Sequence, residues 1–203
     1  MRYFRFCICI EPSCQASKLK ILLQLHASAL LKYAYTRRHP EIARVIVLLS
    51  LEAGMRAGEI ANLTWDMIIT PNGDINSTIE LRDSAAKMRS GRIIPVHPEL
   101  HDALSALSPL DRFGPVIRSE RGGPMRATSI VAWFARAYEA ARLEGCSSHS
   151  GRRTFITQAA RKIHLAGGSL RDVQLLAGHR SLQTTERYID GDSDVQRRLV
   201  AML

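Results

Sequence analysis

The sequence predicts a mainly helical α+β domain carrying one small antiparallel sheet. Three observations lead there. Apolar stretches at helical spacing, punctuated by polar turns, fill both halves of the chain. An Asn72-Gly73 pair lies between short runs of alternating apolar residues, a strong hairpin signal. And 203 residues, 46% of them hydrophobic, suffice for one good core with at most a small lobe attached.

Taken in order, residues 1–26 fit the rest poorly and read as an N-terminal extension. Cys7-x-Cys9 with Cys14 has the look of a partial metal site, but a fourth ligand at a fitting spacing is missing. Ala27 to Thr36 reads as a helix closed by Arg37-Arg38-His39-Pro40. Glu41 to Ala53 is almost wholly apolar after its first turn, and its length and the Gly54 stop favour a buried helix over a strand. Gly54-Met55-Arg56-Ala57-Gly58-Glu59-Ile60 is a tight bend entering a further helix to about Trp65. Arg56 and Glu59, three apart at its opening, are spaced so that the carboxylate can hold the guanidinium and aim it outward.

Ile68-Ile69, the turn Pro71-Asn72-Gly73-Asp74, and Ile75, Ile79 and Leu81 read as a hairpin. A polar link over residues 83–91, carrying Lys87, leads to a strand over residues 92–96. His97-Pro98 opens a helix to about Leu107, proline suiting the first turn. Residues 108–126 form a Gly- and Pro-rich loop with a short extended piece at Val116-Ile117. Thr128 or Ser129 then caps an amphipathic helix with Ile130, Trp133, Phe134, Ala137, Tyr138 and Ala141 on one stripe, ended by Gly145; its aromatics read as core. His149 begins a helix to about His164, before Gly167-Gly168. Ser169 caps Leu170 to Ala177, Ser181 starts the helix bearing Tyr188, and a last helix is expected over residues 192–203.

The net charge is +9 and the isoelectric point about 9.9, with arginine dominant. A polyanionic partner follows, nucleic acid first, since arginine forks onto phosphate bidentately whereas lysine acts as a point charge. Four cysteines in a chain of this size make no disulfide framework, which points to a reducing cytosol. Tyr3 to Ile10 is too short, and is interrupted by Arg5, for a signal-peptide core or a membrane span. The expectation is a cytoplasmic protein without membrane attachment. His97 and His101, at helical spacing, pair with Cys146 as a conceivable metal set that no carboxylate or further histidine completes. Capping and surface roles are expected for these histidines, and no metal or cofactor.

Chemistry concentrates in the last third. His149 and Arg152 share a helix face, Gly178-His179 forms a turn, and Tyr188 follows nine residues later. Residues 149–187 hold the basic side chains Arg152, Arg153, Arg161, Lys162, Arg171, Arg180 and Arg187 against the acids Asp172 and Glu186. Singly, each feature has a bland reading: an interfacial tyrosine, a helix-capping histidine, a surface Arg–Glu pair worth little. Together and in this order they point to phosphodiester chemistry.

The four segments resemble the tyrosine recombinases, the phage integrase family. Residues 53–60 are similar to the segment bearing that family's first catalytic arginine, here Arg56. Lys87, ahead of the 92–96 strand, resembles its β-hairpin lysine, although Arg82, Arg89 and Arg92 crowd the same region. His149-Ser-Gly-Arg152 resembles its His-x-x-Arg element, and Gly178-His179 to Tyr188 its nucleophile box. The resemblance spans about Ala27 to Ile189. It departs at Gly151 and Ala177, where leucine is common, and at Asp190, where histidine is frequent.

It implies a tyrosine-recombinase catalytic domain over residues 27–203, a helical fold with a small antiparallel sheet. Residues 1–26 are too few to supply the N-terminal core-binding domain that usually closes a clamp on the duplex, so the usual domain is expected to be absent. The length resembles that of the short recombinases that invert fimbrial promoter elements, and a fragment or a decayed gene is equally open. It further implies a Tyr188 nucleophile and an Arg56–Arg152 clamp on the nonbridging oxygens, with His179 hydrogen-bonding the same oxygens. His149 is the acid/base on the tyrosyl oxygen, Lys87 protonates the leaving 5′-oxygen, and Glu59 orients Arg56. Arg153, Arg161, Arg180 and Arg187 contact DNA. A phenol with a pKa of about 10 needs such help at neutral pH, and a mobile proton donor suits lysine better than arginine. The implied partners are double-stranded DNA, further copies of the chain in a tetramer on paired sites, and an accessory DNA-bending protein. Two alternatives stay open: a non-catalytic, decayed DNA-binding derivative, and DNA relaxation like that of type IB topoisomerases.

Overall fold

The structure is a computed structural model that describes residues 22, 24–86, 90–107, 112–119, 121–188 and 200–201. Cys7, Cys9, Cys14, Lys87, Asp190 and most of the expected last helix lie outside the described residues. Among the described residues there are eight α-helices and one two-stranded antiparallel sheet, the mainly helical α+β architecture the sequence predicts. None of those helices is long and apolar enough to cross a membrane.

The centre is α2 (Pro40–Leu51), with Pro40 in its first turn. After its first turns, which hold Glu41 and Arg44, the helix is apolar all round as far as Leu49, and such a stretch has to be enclosed by other elements. Val45, Ile46, Val47, Leu48 and Leu49 are each at most 1% exposed, and α2 packs against α1 (Gln24–Tyr35), α3 (Ala57–Ala61), α4 (Pro98–Ser105) and α6 (Ser150–Lys162). Each such side chain stabilises the fold by about 1.5–3 kcal/mol relative to exposure. α5 (Ala127–Ala140) closes the core from the α1 and α3 side through Ile130, Phe134, Ala137 and Tyr138, so its aromatics are core as expected. A smaller cluster forms where α6 meets α7 (Leu170–Ala177): Ile156, Val173 and Ala177 are buried there, with Phe155, Ile163 and Tyr188 against them.

Several boundaries differ from the sequence expectation. The chain joins the fold early: Leu22 is buried, its backbone N–H donates to Thr154 Oγ1 at 2.7 Å, and α1 starts at Gln24. α3 stops at Ala61 instead of continuing to Trp65, because Thr64 turns away to bridge Pro115 and Trp65–Met67 forms a 3₁₀ turn. The Asn72-Gly73 turn exists, but it closes only an isolated Ile69–Ile75 bridge, since Ile68 and Ile69 emerge directly from that 3₁₀ turn. The sheet itself pairs β1 (Thr78–Leu81) with β2 (Arg92–Pro95), joined by the link that carries Lys87. α5 begins at Ala127, with Arg126 at the N-cap position and no side-chain cap, so neither Thr128 nor Ser129 starts it. It ends before Gly145, with Arg142 already in the left-handed region at φ 54°.

Other expected signals act where they stand. His97 Nδ1 accepts from the Glu99 backbone N–H at the start of α4, a capping role. Asp172 accepts from the Ser169 backbone N–H at 2.7 Å, the return bond of a capping box that starts α7. Ser181 stands at the N-cap position of α8 (Leu182–Glu186) with its hydroxyl 3.0 Å from Thr184 Oγ1 and no side-chain bond to the helix backbone, and Tyr188 lies just beyond the helix end.

Candidate active site

Two close approaches set the site's frame. Gly54, at φ +59°, lies where a Cβ would come within 2.3 Å of the Phe155 ring, so only glycine lets the bend before Arg56 rest on α6. At Gly151 a Cβ would meet Ser50 Oγ at 2.2 Å. The missing side chain at this position lets α6 pack against α2, and Arg152 thereby reaches the bend at Gly54 that follows α2.

Glu59 is the hub. Its carboxylate is 1% exposed and accepts from the Arg56 backbone N–H at 2.9 Å, a bond open to an acid on the third residue of a helix. It also accepts from Arg56 Nη1 at 2.6 Å, and from Arg92 Nη1 and Nη2 at 3.1 and 3.0 Å. Arg152 Nη1 stands 4.0 Å away. Burial alone would raise the Glu59 pKa; the hydrogen bonds and charge of Arg92, the Arg56 N–H and the Arg152 charge bring it down to about 2. Three guanidiniums thus share one carboxylate, so positive charge is in excess at the site. Arg56 keeps 24% of its side chain open to solvent, the outward aim expected of it.

Arg152 is 3% exposed and donates to the backbone carbonyls of Gly54 and Ala177, both at 2.6 Å. Burial first, then the Arg56 and Arg92 charges, lowers its pKa to about 9, which leaves it protonated at neutral pH. Its Nη2 also lies 3.2 Å from His179 Nε2. A guanidinium only donates, so Nε2 accepts, the imidazole proton sits on Nδ1, and Nδ1 donates to Thr185 Oγ1 at 2.9 Å. Burial, then the charges of Arg152, Arg56 and Arg92, lowers the His179 pKa to about 4. The ring is therefore neutral here.

The turn that carries His179 closes α7 in a Schellman arrangement. Gly178 adopts φ 63°, its N–H donates to Leu175 O, and the His179 N–H donates to Gln174 O. Gln174, 3% exposed, returns a bond from Nε2 to the His179 carbonyl at 2.9 Å. Tyr188 stacks on His179 with ring centroids 5.4 Å apart and planes 23° from parallel. Arg153 places its guanidinium 5.6 Å from the Tyr188 centroid, and Thr157 Oγ1 donates to the Tyr188 carbonyl at 3.1 Å.

Of the residues singled out in the sequence, Arg56, Glu59, Arg152, His179 and Tyr188 come together, with Arg153 alongside. His149 is the exposed N-cap of α6, and among the described contacts none joins its ring to this group. Arg161, Arg180 and Arg187 are exposed. Lys87 lies outside the described residues, on the link leading into β2. Sequence reasoning passed over Arg92, weighing it only as a basic neighbour of Lys87, and did not single out Gln174. Among the described residues, no group of three or more His, Cys, Asp or Glu is gathered that could hold a metal ion.

The fold is that of tyrosine-recombinase catalytic domains. The crystal structure of XerA recombinase superposes with a TM-score of 0.70 over 98% of this chain and 68% of that one, at 23% identity. A lambda integrase tetramer bound to a Holliday junction gives 0.66 over 87% of this chain and 49% of that one, at 19% identity. The model of the phage integrase family matches residues 20–194, and the chain belongs to that family. Tyrosine recombinase XerC of Brucella suis biovar 1 (strain 1330) is 31% identical over 157 residues, 74% of this chain and 46% of that protein. The chain spans about half the length of the curated relatives it matches.

Proposed function

We propose that the chain is a site-specific DNA recombinase that cuts and rejoins double-stranded DNA through a 3′-phosphotyrosyl intermediate. The observation that carries this reading is the group of half-buried Arg56 and buried Arg92 and Arg152 on the single carboxylate of Glu59, with Tyr188 stacked on His179 beside it. Such an excess of buried positive charge calls for an anion, and a phosphodiester supplies one. Membership in the phage integrase family supports the same reading.

In the proposed reaction the Tyr188 oxygen attacks phosphorus and the bond from phosphorus to O5′ breaks. The phenolic proton passes to His149, and Lys87 gives a proton to the departing 5′-oxygen. Arg56 and Arg152 bind the nonbridging oxygens, where negative charge grows. A phosphate beside His179 raises its proton affinity, which converts Nε2 from acceptor to donor toward the same oxygens. Attack by a second strand's 5′-hydroxyl reverses the step. Bond energy is conserved in the tyrosyl ester, so neither a nucleotide nor a metal is required.

Residues 27–203 form the catalytic domain in this reading. Arg153, Arg161, Arg180 and Arg187 hold the DNA backbone, and four copies assemble on paired sites in the cytoplasm, with an accessory DNA-bending protein. The test is covalent trapping. Labelled duplexes from the DNA flanking the gene, each nicked beside a candidate cleavage position, are incubated without metal and resolved on a denaturing gel. A shifted band with the unaltered chain and none with Tyr188→Phe is the expected result. Salt-sensitive binding to the same duplexes without any band would overturn the enzymatic reading.

A further inference from the structure

Arg92 has no part in the proposed reaction, yet its guanidinium is as fully engaged as that of Arg152. It is 4% exposed. Its Nη1 and Nη2 grip both oxygens of Glu59, and its Nε donates to the Leu176 carbonyl at 3.0 Å. A Cβ on Gly178 would lie 2.9 Å from Arg92 Cδ, so the His179 turn sits directly on the arginine's stem. The Schellman bonds satisfy the carbonyls of Gln174 and Leu175. The next two, of Leu176 and Ala177, are taken by Arg92 and Arg152. One guanidinium therefore joins three pieces of the site: β2 and the lysine-bearing link ahead of it, the carboxylate that holds Arg56, and the turn that carries His179.

We infer that Arg92 is a positioning residue for strand cleavage, setting the Arg56–Arg152–His179 clamp through Glu59 and the end of α7. It touches none of the reacting atoms. The sharing of donors gives the role its chemistry. The fork on Glu59 uses two nitrogens and the α7 carbonyl a third, in one plane, a pattern that a lysine cannot reproduce. With Arg92 shortened or forked differently, the Glu59 carboxylate turns toward Arg56 and Arg152 and the His179 turn loses its floor. A misplacement of about 1 Å at such a clamp costs about 100-fold in rate.

The inference rests on the recombinase reading, so the unaltered chain is first shown to form the Tyr188 adduct on the nicked duplexes. Absence of that adduct would overturn the reading itself, and this inference with it. Arg92→Lys and Arg92→Met are then compared by single-turnover adduct formation, duplex affinity and thermal melting, together with Arg56→Lys and the double variant Arg56→Lys/Arg92→Lys. The expected result for Arg92→Lys is a rate about 100-fold lower, with duplex affinity within about threefold, since no phosphate contact is removed. The defect should persist on a 5′-bridging phosphorothiolate duplex, whose thiolate leaving group needs no proton. The double variant should be little slower than Arg56→Lys, because both changes act on one unit. Arg92→Lys cleaving at the unaltered rate would overturn the inference. So would a defect relieved by the phosphorothiolate, or losses that multiply in the double variant. Arg92→Lys keeps the charge, so these readings hold even where Arg92→Met does not fold.

Discussion

Arg152 donates to Nε2 of His179 at 3.2 Å, and this one contact fixes the imidazole as the tautomer protonated at Nδ1. In the proposed reaction His179 has to surrender that arrangement to donate to a phosphate. Burial first, then the charges of Arg152, Arg56 and Arg92, hold the ring down to about pKa 4, and an anion placed beside it would offset those charges and raise its proton affinity.

Binding of duplex DNA is therefore expected to take up a proton. Calorimetric titration near pH 6.5 in two buffers of different ionisation enthalpy should report an uptake approaching one proton per chain. In His179→Gln that uptake should fall to near zero. Equal uptake in both proteins would place the proton elsewhere.

Acid stability follows from the same shifts. The folded pKa of His179 lies below its usual 6.5, at about 4, so neutral His179 contributes stability that is complete above pH 6.5 and is lost as the pH falls toward 4. Glu59 adds a second loss as the pH falls from 4.5 toward 2. Urea midpoints measured from pH 7 to pH 3 should fall through the first window and begin to enter the second. The slope between pH 6.5 and 4 should be shallower in His179→Gln.

Removing the hub charge should cost more than removing an ordinary ion pair. Glu59→Gln leaves Arg92 and Arg152 buried without their carboxylate, and a loss of about 3–5 kcal/mol is expected from denaturant unfolding. Unchanged stability would mean that these guanidiniums find solvent in the free protein.

Gly151 stands where the family often has leucine, and the reason is steric. With Ser50 Oγ 2.2 Å from the site of a Cβ, Gly151→Ala should destabilise by about 1–3 kcal/mol. Adding Ser50→Ala removes the nearest atom and should restore part of that loss, although Ser50 Cβ at 3.1 Å stays tight. Equal melting temperatures for the single and double variants would count against the clash.

Duplex binding should weaken steeply with salt, as the net charge of +9 implies. Arg161→Ala, Arg180→Ala and Arg187→Ala, at exposed positions, should each lower the log–log salt slope by about one where the residue meets a phosphate. A slope unchanged in all three would move the DNA path away from α8 and the end of α6.

What the sequence determined by itself was everything decided within a turn or two of chain. The spacing of Arg56 and Glu59, the capping signals at His97 and Ser169, and the Gly178-His179 turn all act through neighbours that the chain supplies locally. Residues 45–49 of α2 could only be central, because they leave no polar face on that part of the helix. Tertiary structure decided which charges could be buried. Arg92 reads as one more basic residue at a strand edge until Glu59, 33 positions earlier, and the Leu176 carbonyl, 84 positions later, meet its guanidinium. Phe155 likewise acquires its part from a distant segment, at Gly54. The physical reason is desolvation: a guanidinium leaves water only where acceptors from several segments converge, and that convergence is a property of packing, not of any stretch of sequence.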